Sequence, residues 1–122
     1  MKQLKTPGVI LFCLLAVITF SSFKSQQQLL PTKLRVVVID GTGNFVESAQ
    51  VTLFSNEEDY INNTNPLVSM ETDEKGKAVF KKLDAVAYYL DVRKGEQNND
   101  GRGSKTDKLR EGRTNKVNVV IE

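Results

Sequence analysis

The chain has 122 residues, 39% of them hydrophobic and 26% charged, with a formal net charge of +2 and no histidine or tryptophan. That length allows one domain, and the absence of histidine removes imidazole base catalysis and ordinary zinc ligation. The single cysteine, Cys13, leaves no intramolecular disulfide to staple the fold.

The first segment is set apart from the rest. Lys2 and Lys5 precede an apolar run from Gly8 to Phe20, "GVILFCLLAVITF", which gives way to "SSFKSQQQ". Its 13 residues fall short of the roughly 20 that span a bilayer. The layout predicts a secretory signal peptide over residues 1–25, with cleavage after Ser21 or after Ser25. Cys13 lies within the run behind Phe12, whereas a lipid-bearing cysteine would follow a small residue at its end, so it reads as a filler hydrophobe. Lys2, Lys5 and Lys24 leave with the signal and no acid does, so fourteen basic residues remain against fifteen acids, a net charge of −1. A partner of nucleic acid is not expected on that balance, nor a stable membrane span once the signal is removed.

The remaining elements follow in order. Residues 26–33 read as a polar leader. A strand is predicted at Leu34 to Ile39, where Val36, Val37, Val38 and Ile39 are β-branched and favour extended backbone. "DGTGN" then turns the chain. "VESAQVTLF" follows, with Ala49, Val51 and Leu53 on one face and Gln50 and Thr52 on the other. Residues 55–66 lose apolar periodicity and read as a loop. A third strand is expected from Leu67 to Thr72, then a reversal at "DEKG" with Gly76 at positive φ, then a fourth strand with Ala78 and Phe80 inward. A fifth alternates Tyr88, Leu90 and Val92 inward with Tyr89, Asp91 and Arg93 outward. Residues 94–115 form a polar loop that the core does not explain, unless a short strand lies near Thr106 to Leu109. The last strand, "KVNVVIE", puts Val117, Val119 and Ile121 on one face. The pattern predicts an all-β, antiparallel Greek-key sandwich of six or seven strands over residues 34–122.

Two runs carry a resemblance. "VVVIDGTGNFVESAQVTLF" and "ETDEKGKAVFKKLDAVAYYLDV" resemble the carboxypeptidase regulatory-like domains, transthyretin-like β-sandwiches common in exported bacterial proteins. The tail also resembles that of small exported proteins of Bacteroidota-like bacteria. The resemblance implies an accessory module without a catalytic domain. Asp84 and Val86 stand where the family has Pro and Gly, which leaves the shape of that corner open. The hydroxyisourate hydrolase branch of the transthyretin-like fold relies on histidines that this chain lacks.

Candidate chemistry is sparse. In "DGTGNF", Asp40, Thr42 and Asn44 alternate as calcium ligands would, but Phe45 takes the place of the sharp-turn glycine, and a phosphate cradle would need a following helix. The turn reading gives Asp40 the nearby amides to bind and Gly41 and Gly43 positive φ. Glu96, Asn98 and Asp100 could gather on a cation, or form a mobile turn; the acids of Asn56 to Tyr60 could meet a basic partner, or be solvated. Ser48, Ser55, Ser69 and Ser104 have no activating motif. Tyr60 and Tyr89, if both exposed, could stack on sugars or pack on a protein, whereas Tyr88 belongs to the core.

The expected function is that of an exported, non-enzymatic binding or structural module, periplasmic, secreted or on the cell surface. Its contacts would be made by residues 55–66 and 94–115 or by strand addition at an edge, with another envelope or secreted protein as partner. No catalytic residue, metal ligand or cofactor site is assigned. The alternative is a calcium-dependent or carbohydrate-binding domain.

Overall fold

A computed structural model describes residues 30–122. The expected signal peptide, its cleavage points, Cys13 and most of the leader lie outside the described residues. Seven strands are found among them: β1 Lys33–Asp40, β2 Gln50–Phe54, β3 Val68–Glu71, β4 Lys77–Phe80, β5 Tyr89–Lys94, β6 Gln97–Asn98 and β7 Thr114–Ile121. They form two sheets, in the orders β4-β1-β7 and β3-β2-β5-β6. The chain passes between the sheets from β1 to β2, β3 to β4, β4 to β5 and β6 to β7, so neither sheet folds without the other. β1 takes in Lys33, the last residue assigned to the leader.

Alternation builds the core. Leu34, Val36 and Val38 of β1, Val51 and Leu53 of β2, and Leu90 and Val92 of β5 are wholly buried, and Phe80, Tyr88, Val119 and Ile121 join them. Each such side chain contributes about 1.5–3 kcal/mol on leaving water, so these few carry the bulk of the favourable term. The pairing is antiparallel throughout, with one exception: β1 and β7 run parallel over the whole of β1, from Lys33↔Thr114 to Asp40↔Ile121. No hairpin links the first strand to the last, so turn geometry does not force them to oppose.

Polar groups fix the connections. Thr72, buried at the end of β3, donates from Oγ1 to the Val46 carbonyl at 2.6 Å and accepts from Ala49 N–H at 2.9 Å. In the reversal before β4, Asp73 Oδ1 accepts from the N–H groups of Lys75 and Lys77, both at 2.9 Å. Gly76 there has φ +69° and packs against β1, its carbonyl accepting from Val38 N–H at 2.7 Å. The corner that lacks Pro and Gly is held instead by Tyr88, whose hydroxyl donates to the Asp84 carbonyl at 3.0 Å. Burial pushes the Tyr88 phenol above its ordinary value.

Two loops are more structured than the sequence predicts. Residues 57–62 form a short helix, α1 Glu57–Asn62, capped by Asn56, whose Oδ1 accepts from Asp59 N–H at 2.8 Å. Asn63 ends it in the left-handed conformation, φ 52°. The segment from 94 to 115 supplies β6 and three buried residues, Asn99, Thr106 and Leu109. The short strand expected near Thr106 to Leu109 is reduced to a single bridge between Lys105 and Tyr89. Thr106 backs this bridge, accepting from Tyr88 N–H at Oγ1 and donating from its own N–H to the Tyr88 carbonyl. Because β6 lies within it, β7 takes over its end and its buried residues reach the core, the segment is not an independent polar loop.

Candidate functional site

The outward faces of β2, β3 and β5 form one polar surface. The register sets Ser69, Thr52 and Asp91 in one row and Glu71, Gln50 and Arg93 in the next. Thr52 and Ser69 share a hydrogen bond of 3.1 Å between their hydroxyls, and Gln50 Nε2 donates to Ser69 Oγ at 3.1 Å. Ser69 therefore bonds an amide and a hydroxyl, neither of which activates a nucleophile.

At one end of this surface stands an aromatic cluster. Tyr60 of α1 meets Phe54 edge to face at 6.0 Å and stacks on Tyr89 of β5 at 5.8 Å with 29° between planes. Lys105 Nζ lies 5.5 Å from the Tyr89 ring centre. The two tyrosines, which could have served as platforms if both were exposed, are half-buried and stack on each other. Their shared burial holds α1, which has no fully buried residue of its own, against the sheet.

Beside the tyrosines lies a charged network. Arg93 Nε donates to both oxygens of Asp91, at 3.1 and 3.0 Å, and its Nη2 reaches Asp100 Oδ1 at 3.4 Å. The hydrogen bond that Arg93 donates to Asp91, helped by the charge of that carboxylate, raises the Arg93 guanidinium above its ordinary value. Arg93 stays half-exposed and keeps N–H donors that none of these bonds uses. Tyr60, Ile61, Asn63, Asp91, Arg93 and Asp100 line a depression of about 250 Å³. A second, of about 190 Å³, continues from Asn63, Asp91 and Arg93 to Gln50 and Thr52. Together they make a shallow groove between α1 and the sheet.

The other residues singled out in the sequence are placed elsewhere or committed to local bonds. Asp40 Oδ1 accepts from Thr42 N–H, Thr42 Oγ1 and Asn44 N–H at 2.9, 2.7 and 3.0 Å. These bonds, the Thr42 hydroxyl first, hold its carboxyl below the ordinary value, and the motif is a turn with Gly43 at φ +88°. Asn98 Oδ1 accepts from Asp100 N–H, while Asp100 faces Arg93. Asp59 accepts from Asn56, Thr64 and Asn65, closing the loop after α1. No group of three or more acid, histidine or cysteine side chains is placed to share a metal ion among the described residues. Asp91 and Arg93 were legible as outward residues of β5; Asn63 lies in the loop of residues 55–66 expected to make contacts, but no pattern there singled it out.

No protein-family model matches the chain, and no curated protein sequence matches it. Solved structures that share its fold include three from bacteria. It is similar to the TIE protein of Bacillus anthracis (TM-score 0.57, 19% identity, covering 76% of this chain and 16% of that one). A DUF3823 family protein from Parabacteroides merdae (TM-score 0.53, 18% identity) covers 77% of this chain and 47% of its own. Hydroxyquinol 1,2-dioxygenase from Pseudomonas putida (TM-score 0.50, 8% identity) covers 80% and 58%. The chain thus spans less than two thirds of each, and at these identities the likeness is one of fold: a β-rich sandwich domain found inside larger proteins.

Proposed function

We propose that this chain is an exported, non-enzymatic binding module of carboxypeptidase regulatory-like type that holds a protein partner in the groove between α1 and the four-stranded sheet. One observation carries the reading: the Tyr60–Tyr89 stack stands directly beside the Asp91–Arg93–Asp100 network. Tyrosine and arginine are the residue types that concentrate binding energy at protein interfaces, because each combines a flat, largely apolar body with directional donors. A sugar platform needs an open ring face, and here the rings cover each other. Of the acids that could gather on calcium, Asp40 is engaged by its own turn and Asp100 by Arg93.

The regulatory-like type rests on the two sequence runs from Val36 to Phe54 and Glu71 to Val92 and is compatible with the β-rich neighbours. Export rests on the apolar run from Gly8 to Phe20 and places the module in the periplasm, outside the cell or on its surface. No helix among the described residues is long and apolar enough to cross a membrane. The non-enzymatic reading rests on a chain without histidine and on Ser69, on the same sheet face as the groove, whose hydroxyl meets only an amide and a threonine hydroxyl.

Affinity capture from envelope extracts of cells that make the protein tests this, comparing wild type with Tyr60→Ala and Arg93→Ala. Recovery of the principal partner should fall about tenfold or more in each variant, as for an interface hot spot. The Arg93→Ala protein should stay within about 1 kcal/mol of wild-type stability, since the half-exposed ion pair contributes no more than that. Equal recovery by all three proteins would overturn the groove as the contact surface.

A further inference from the structure

The sandwich has two lateral edges, and they differ. At one, Asn98 of β6 and Glu122 after β7 exchange backbone hydrogen bonds of 3.2 and 3.1 Å, which ties the two sheets together. At the other, β3 and β4 are the outermost strands of their sheets and do not pair with each other. Four strands lie over three, so β3 overhangs. Val68 and Met70 share the inward face with Val51 and Leu53, which are wholly buried, yet they are 36% and 38% exposed, and Leu67 before them is 49% exposed. An apolar depression of about 280 Å³ lies beneath them, lined by the buried Phe80 and Tyr88 and by the exposed Lys81 and Lys82.

The backbone of β3 is equally open. Thr72 N–H donates to the Ala49 carbonyl, and alternation from there turns the backbone groups of Met70 and Val68 toward β2. Those of Ser69 and Glu71 therefore point away from the sheet. Lysine, proline and a bulge, three of the devices that blunt such an edge, are missing from Val68–Glu71, whose one charge is Glu71 at its end.

We propose that this edge is a homodimer interface in which β3 of two copies pair antiparallel about a two-fold axis at Ser69, joining the four-stranded sheets into one of eight. The occupant is a second copy because the edge is complementary to itself. In this register Ser69 meets Ser69 and exchanges both backbone bonds with it, while Val68 meets Met70 of the second copy on the inward face, where both are otherwise wetted. Glu71 comes opposite Leu67 of the second copy, at the end of the strand that shares its depression with Lys81 and Lys82, so no acid faces an acid. A register centred on Met70 would set Val68 against Thr72, whose side chain is buried in its own chain and bonded to Val46, and would lose the Val68–Met70 contact.

Sedimentation equilibrium of the purified protein over a concentration series tests the pairing. The wild type should approach twice the chain mass. Ser69→Pro removes only an outward N–H and should give the single-chain mass with an unchanged circular dichroism spectrum. Met70→Lys, which leaves the backbone intact and sets a charge against Val68 of the second copy, should do the same and serves if the proline variant fails to fold. A wild type of single-chain mass at every concentration would overturn the proposal, as would a folded variant that keeps the doubled mass. So would a wild type that stays single and takes up an extended segment of a different protein on β3.

Discussion

Asn99, with none of its surface exposed, donates from Nδ2 to the carbonyl of Leu90 at 3.0 Å. Its Oδ1 accepts from the N–H of Val92 at 3.0 Å, so one side-chain amide does for β5 what a neighbouring strand would do beyond the two residues of β6. Asn99→Ala would leave two buried backbone groups without partners, each costing about 1–3 kcal/mol. A loss of about 2–5 kcal/mol in a urea titration is expected, a large share of a small domain's stability. Asn99→Asp keeps the acceptor for Val92 but, when ionised, has no donor for Leu90 and buries a charge. That variant should regain stability as the pH is lowered and its carboxyl takes up a proton; a deficit that did not shrink with falling pH would count against this role.

Gly76 offers a second test. A Cβ there would stand 2.5 Å from the Val38 carbonyl oxygen, on a residue already at φ +69°. Gly76→Ala should therefore cost more than the about 1–2 kcal/mol of left-handed backbone alone. Gly43, at φ +88°, has nothing within 4 Å of its Cβ position, so Gly43→Ala should cost only that backbone term. The difference between the two unfolding midpoints isolates the close approach of the reversal to β1.

The acid limb of stability has identifiable contributors. Asp40 and Asp73 both have carboxyls held below the ordinary value of 3.8, Asp40 first by the Thr42 hydroxyl and Asp73 first by the Lys77 N–H. A folded value below the unfolded one means stability that is fully present above 3.8 and lost as the pH falls through the folded value. Urea midpoints measured from neutral pH downward should fall over that window. In Asp40→Asn/Asp73→Asn, where the acceptor remains and the titration does not, the fall should be shallower. An identical slope in the double variant would assign the acid loss to other groups.

The strands were legible because their side chains alternate and their cores are Val, Leu, Ile and Phe. Leu34, Val36 and Val38, or Tyr88, Leu90 and Val92, announce a buried face by type and spacing together. α1 escaped because it buries no residue fully and its helical signal is local: Asn56 as cap, acids at Glu57, Glu58 and Asp59 in the first turn, Asn63 at the end. The segment from 94 to 115 escaped for the opposite reason. It is anchored by Asn99, Thr106 and Leu109, two of them polar and all three too sparse to set up an apolar repeat, so composition alone reads as solvent-exposed chain. The candidate groove was half visible: Tyr89, Asp91 and Arg93 share a face by alternation, but their meeting with Tyr60 and Asn63 depends on the unread helix. The parallel partnership of β1 and β7 left no trace in either strand, because pairing direction is not encoded in side-chain periodicity.

That partnership sets the order of events in folding. Lys33 finds Thr114 and Asp40 finds Ile121, contacts about as far apart in sequence as the domain permits. Pairings of such high contact order are slow to form, since the entropy of closing the loop is lost before any contact compensates it. The three-stranded sheet cannot be completed until the final strand has been synthesised, and until then Leu34, Val36 and Val38 lack one wall of their core. A polypeptide of this design remains pliable while it is being made and sets only afterwards, the condition that the proposed export through a narrow channel would require.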